Sequence, residues 1–181
     1  MRIYVWIGVL FFQVTIAFSQ DSLNITPINE YRYKGGGLVC FTDSISPLAC
    51  LHIGSIRIGD EYAGIEAKYG SVSQKIPQSE GREVRVFELQ SKTKQTTYLA
   101  ITVKNNLIDA IQVAGASPEE SLSFSSINIG DSPQWLIQLL GKPSKSKLVE
   151  ETGATLWSYA PFPFSFEIVG EEVYSIKIWN P

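Results

Sequence analysis

The stretch that decides the fold is INIGDSPQWLIQLLGKPSKS, residues 127–146, because residues 56–73, IRIGDEYAGIEAKYGSVS, repeat its pattern. Gly59 and Gly130 stand 71 positions apart. The same offset links Ile58 with Ile129, Asp60 with Asp131, Ile65 with Leu136, Tyr69 with Leu140, and Gly70 with Gly141. A constant offset at six positions reads as a tandem repeat. Each copy begins with a short apolar strand that ends at a glycine. A cap comes next, Asp60 or Glu61 in the first copy and Ser132 before Pro133 in the second. Serine at the cap with proline at the first helical position is a helix start signal. The spacing predicts helices of about nine residues, with Tyr62, Ile65 and Tyr69 inward in one and Trp135, Leu136, Leu139 and Leu140 in the other. Gly70 and Gly141 stop them.

The segments after each helix also match. Copy one gives REVRVFELQ, TYLAITVKN and LIDAIQVAG; copy two gives TLWSYAP, FSFEIVG and VYSIKIW. These are alternating, β-branched or aromatic runs of strand length. The lysine-bearing stretches 92–94 and 142–147 read as loops. The predicted fold is therefore α+β: two tandem units, each one helix plus a three-stranded antiparallel meander. Joined edge to edge, they give one sheet of about six strands with both helices on one face. Repeat 1 spans 54–116, and the linker with repeat 2 spans 117–181.

Alternation assigns the two faces. The core face takes Ile65, Tyr69, Phe87, Leu89, Leu99, Ile101, Val103, Ile111 and Val113 from copy one. Copy two adds Leu136, Leu140, Trp157, Tyr159, Phe164, Phe166, Ile168, Ile176 and Ile178. The other face takes Glu88, Tyr98, Ala100, Thr102, Ile108, Ala110, Gln112, Ser158, Ser165, Glu167, Ser175, Lys177 and Trp179. One wet face is ordinary for an antiparallel sheet. Its aromatic residues also make it a candidate docking surface, since aromatic anchors dominate interface energies. The candidate binding residues are Tyr98, Gln112, Glu167, Lys177 and Trp179.

Composition bounds the rest. The chain has 181 residues, 44% hydrophobic and 18% charged, which suits a globular protein rather than a disordered one. Its formal net charge is −3 and it carries no basic stripe, so nucleic acid is not an expected partner. Residues 1–19 read as an export signal: Arg2, an apolar run from Ile3 to Phe18, and small residues at Ala17 and Ser19. The run is short for a membrane span, so no span is expected after cleavage. Residues 20–53 form a polar arm, with Gly35-Gly36-Gly37, and a cysteine loop. The expected location is periplasmic or extracellular.

Cys40 and Cys50 enclose nine residues. In an exported chain such a pair is expected to form a disulfide, with free thiols as the alternative. A zinc site would need a fourth ligand beyond these two and His52, the single histidine. No metal and no cofactor is expected. An enzyme reading would be a small hydrolase or thiol-redox protein using Cys40, Cys50 and His52, and it requires a free thiol near the imidazole.

Residues 54–180 carry a resemblance. Ile127-Asn128-Ile129-Gly130-Asp131, Leu139-Leu140-Gly141-Lys142-Pro143, Trp157-Ser158-Tyr159 and Val173-Tyr174-Ser175-Ile176-Lys177-Ile178 together look like the β-lactamase inhibitor proteins. They are also similar to the SmpA/OmlA lipoproteins of outer-membrane barrel assembly. Both families are built from helix-plus-meander units, two in the inhibitors and one in the lipoproteins. The resemblance implies a non-catalytic module that grips a protein partner on a concave sheet.

Overall fold

The computed structural model describes residues 30–32, 38–41 and 51–180. The expected signal, most of the arm and Cys50 lie outside the described residues. Of Cys40 only the backbone is described, so the expected disulfide lies outside them too.

Two short antiparallel pairs come first: β1 (Glu30–Arg32) with β2 (Leu38–Phe41), and β3 (His52–Ile53) with β4 (Ile56–Arg57). Next come α1 (Ile65–Tyr69), β5 (Gln74–Pro77), β6 (Arg82–Leu89), β7 (Thr97–Lys104) and β8 (Leu107–Gly115). Then come α2 (Pro133–Leu140), β9 (Lys145–Val149), β10 (Ala154–Ser158), β11 (Phe164–Val169) and β12 (Glu172–Trp179). One antiparallel sheet holds eight of these strands in the order β5-β6-β7-β8-β12-β11-β10-β9. Strands β8 and β12 pair in the middle, Ile176 opposite Val113 and Ile178 opposite Ile111.

This corrects the predicted fold class. The chain is mostly β, and the α+β arrangement of helix-plus-three-stranded meanders does not describe it. The sheet has eight strands, because β5 and β9 add a strand at each edge. The helices are too small to form a layer: α1 has five residues and α2 eight. The first helix is short because the backbone before it is already engaged. Tyr62 N–H donates to Asn106 O at 2.9 Å, and Glu61 makes a bridge with Leu107. Gly64, at φ 90°, then caps α1 with no side-chain bond. In α2 the cap is the expected one, with Ser132 Oγ accepting from Trp135 N–H at 3.3 Å.

The apolar core lies on one side of the sheet. Phe87, Leu99, Ile101, Ile111, Val113, Phe164, Phe166, Ile176 and Ile178 are buried there with Tyr69 of α1 and Leu136 and Leu140 of α2. Tyr69 meets Phe87 edge-on, ring centres 6.4 Å apart. Tyr159 sits among Phe164 and Phe166, at 5.4 and 5.6 Å. Leu51, Ile53, Leu122, Phe124 and Ile127, none of them among the predicted core-face residues, add to it. Ile65, Leu89 and Trp157 are only partly buried against it.

The doubled Ile-Gly-Asp phrase has a definite backbone job. Gly59 N–H donates to Ile108 O and Ile108 N–H donates back to Asp60 O, at 2.8 and 2.9 Å. Gly130 N–H donates to Val173 O and Val173 N–H to Asp131 O, both at 2.8 Å. Each phrase thus clamps the residue just past a hairpin turn.

Candidate functional site

The face opposite the core is read from the strand register. In an antiparallel ladder, directly opposed residues point to the same side, and residues two apart share it. One row crosses all eight strands: Gln74, Val86, Ala100, Gln112, Lys177, Ser165, Ser158 and Lys145. The next row holds Tyr98, Ala114, Ser175, Glu167, Leu156 and Lys147. A third holds Thr102, Ala110 and Trp179. Tyr98, Gln112, Glu167, Lys177 and Trp179 therefore lie on one face, contributed by β7, β8, β11 and β12. Gln112 and Lys177 are direct partners, while Tyr98 and Trp179 sit in the rows on either side of them.

Small residues floor this face. Ser175 is 1% exposed and Ser165 7%. Gln112 Nε2 donates to Ser175 Oγ at 2.9 Å, which satisfies a buried hydroxyl and fixes the amide. Burial pushes the Lys177 ammonium below its ordinary value, and the nearby Glu167 carboxylate opposes that shift. The face is thus a rigid strand surface with a half-buried cation near its middle.

Two bulges alter the predicted assignment. Between Thr102 and Val103 the ladder slips, so that Ala110 opposes Thr102 while Ile108 opposes Val103. Ile108, expected on the open face, turns into the core and is 1% exposed. The extra residue, Asp109, takes the Arg82 guanidinium at 2.7 Å, and Arg82 also reaches Glu80 at 2.7 Å. These charge-assisted bonds raise the Arg82 pKa, with Asp109 the largest cause. The second slip lies between Glu167 and Ile168, where Tyr174 is extra on β12. Burial raises the Tyr174 pKa, and Glu167 and then Tyr98 raise it further. Tyr174 therefore belongs with the site residues, although plain alternation excludes it. The signal was present: Val173 and Ile176 are apolar and three apart, a spacing no regular strand gives.

On the core side, a cleft of about 280 Å³ is lined by Lys68, Tyr69, Leu89, Gln90, Pro118, Glu119 and Glu120. Lys68 bridges its rim to Glu120 at 2.9 Å. His52 lies in β3 with its Nδ1 2.9 Å from Gly54 O. The Cys50 of the enzyme reading is outside the described residues. Among the described residues no group of three or more His, Cys, Asp or Glu could hold a metal ion. No helix among them is long and apolar enough to cross a membrane.

No family model and no curated protein matches the chain. Solved structures do. A cysteine-rich secretory protein from Staphylococcus aureus matches 68% of this chain and 44% of its own, at 16% identity and a TM-score of 0.44. An extracellular protein containing an SCP domain from Bacillus anthracis matches over the same shares at 16% identity and a TM-score of 0.45. A DUF4309 family protein from Bacillus subtilis matches 67% of this chain and 79% of its own, at 12% identity and a TM-score of 0.42. The chain thus spans 44% of the length of the first two.

Proposed function

We propose that this chain is an exported, non-catalytic protein-binding module, periplasmic or extracellular, whose partner docks on the open face of the sheet. The reading rests on one observation: four adjacent strands carry Tyr98, Gln112, Glu167, Lys177 and Trp179 on a single side, away from the core. Aromatic side chains lose little conformational entropy on contact and anchor interfaces. The polar groups between them set register and partner choice. Strands hold all five more firmly than loops would. Export rests on the pattern of residues 1–19, and an inhibitor-like or envelope-assembly-like role rests on the family resemblance.

The test is affinity capture from a native envelope extract, with the chain from residue 20 onward as bait. The control carries Tyr98→Glu and Trp179→Glu, checked for folding by circular dichroism. A partner held by the bait and lost by the control supports the reading. Equal capture by both, or none by either, refutes it.

A further inference from the structure

We propose, building on the docking reading above, that the β9–β12 half of the open face recognises an extended acidic segment of the partner. Its carboxylates would lie four residues apart. The row Lys177, Ser165, Ser158, Lys145 runs straight across β12, β11, β10 and β9, each residue directly opposite the next. Two lysines bracket two serine hydroxyls. Lys147 is two residues along β9 from Lys145 and on the same side. Lys145 and Lys147 are exposed.

The charge on this half is positive. Lys145, Lys147 and Lys177 lie on this side with two carboxylates, Glu167, diagonally beside Lys177, and Glu172, opposite Val169 at the turn end of β12. Glu150 and Glu151 sit in the turn beyond β9, at the end away from Lys145. Lysines on an edge strand repel a second copy of the same edge. The same charge attracts a segment of opposite sign, and charge complementarity governs partner choice more than raw affinity.

Spacing sets the pattern. Adjacent strands lie about 4.8 Å apart, so the backbones under Lys177 and Lys145 are about 14 Å apart. An extended segment rises about 3.3 Å per residue and shows alternate side chains to one side. Carboxylates at positions i and i+4 therefore point the same way about 13 Å apart. The residue between them at i+2 would lie over Ser165 and Ser158, and should be small or hydroxyl-bearing.

The test is a titration of the full-length chain with blocked peptides, followed by amide NMR shifts. The probe has Asp-Thr-Ser-Thr-Asp at its centre; the controls are Asn-Thr-Ser-Thr-Asn and Thr-Asp-Asp-Thr-Ser. The expected result is shifts at Ser158 and Ser165, with binding at least about tenfold weaker for the Asn control and weaker for the paired Asp control. Lys145→Gln with Lys147→Gln should cost a similar factor, and 0.5 M salt should weaken binding sharply. Lys145→Glu with Lys147→Glu should switch preference to a mixed Asp-Thr-Ser-Thr-Lys peptide, its carboxylate at Lys177 and its ammonium at the new acidic edge. Equal binding of Asp and Asn peptides, or shifts elsewhere, overturns the inference. So does a dimer seen by light scattering that Lys145→Gln with Lys147→Gln abolishes, which assigns the face to a second copy. So does binding of an acidic oligosaccharide while every peptide fails. The outcomes separate the two readings. Capture that needs Tyr98 and Trp179 but ignores the lysines sinks the acidic segment alone. Capture indifferent to both sets sinks the docking face as well.

Discussion

Gly115→Ala should be among the most damaging single-methyl changes this chain can suffer. Gly115 ends β8 opposite Thr97, at φ +106°, which side chains rarely adopt. A Cβ there would stand 2.4 Å from the Thr96 carbonyl oxygen, where real Cβ contacts essentially never fall under 3.0 Å. The obstacle is backbone and cannot swing aside. It is also tied: Thr96 O accepts Ala116 N–H at 3.4 Å, and the buried Thr97 hydroxyl donates to Ala116 O at 2.6 Å. The unfavourable φ costs about 1–2 kcal/mol. Forcing the overlap apart adds about 1–3 kcal/mol, as overpacking does. Gly130 supplies the control, since it has φ +90° and nothing within 4 Å of its added Cβ. Gly130→Ala should lose only the conformational part, about 1–2 kcal/mol. Urea titrations followed by tryptophan fluorescence, with unchanged slope, give both values. If Gly115→Ala falls within about 0.5 kcal/mol of Gly130→Ala, the tight approach to Thr96 does not exist as described.

Three further outcomes rest on single side chains. Phe166 is fully buried, with Phe124, Tyr159 and Phe164 ring centres at 6.3, 5.6 and 6.0 Å. Phe166→Ala should cost about 3–5 kcal/mol in the same urea assay, and a loss under about 1 kcal/mol would contradict a packed core. Ser132→Ala removes the α2 cap and should cost about 1 kcal/mol, while Ser132→Asp should restore it; equal stability of all three would refute the cap. Lys177 is held below its ordinary 10.5 by burial, so between its native and unfolded values the unfolded chain binds more protons. Its contribution to stability therefore rises with pH through that alkaline window, and below it the buried charge is a cost. Lys177→Met should flatten the rise of Tm with pH across the alkaline range below 10.5; an unchanged profile would show the ammonium to be well solvated.

Alternation exposed β6, β7, β8, β10, β11 and β12, because each has one face in the core and one outside. It missed β5 and β9 for the opposite reason. Their residues are exposed at nearly every position, so QKIP and KSKLV show no period two and pass for loops. What makes them strands is a neighbour's backbone, which a sequence pattern does not display. The first helix was overread because Tyr62 keeps helical spacing with Ile65 and Tyr69. Tyr62 is buried for another reason: its ring lies under the Arg85 guanidinium at 4.0 Å, while its hydroxyl donates to Glu66 at 2.9 Å. The five candidate site residues were legible because they sit on stretches of β7, β8, β11 and β12 that keep register with each other. Tyr174 and the β9 lysines were not, the first because of a bulge and the second because their strand was invisible.

The bulges explain why the Ile-Gly-Asp phrase occurs twice. After the Asn105-Asn106 turn, the chain must bury Ile108, and after the Gly170-Glu171 turn it must bury Val173. From Ile108 to Ile111 and from Val173 to Ile176 the interval is three, which a regular strand would send to opposite faces. One inserted residue in each strand, Asp109 or Tyr174, restores the core face beyond it. Such an insertion needs something to hold the residue on its turn side in place. The glycine N–H and aspartate C=O of each phrase do this by bonding both backbone groups of Ile108 or of Val173. A slip at either clamp would shift β8 or β12 by one residue and turn Gln112 or Lys177 into the core. The phrase is therefore doubled because two central strands each need their register pinned. The composition of the open face depends on both clamps, although neither phrase contributes a side chain to it.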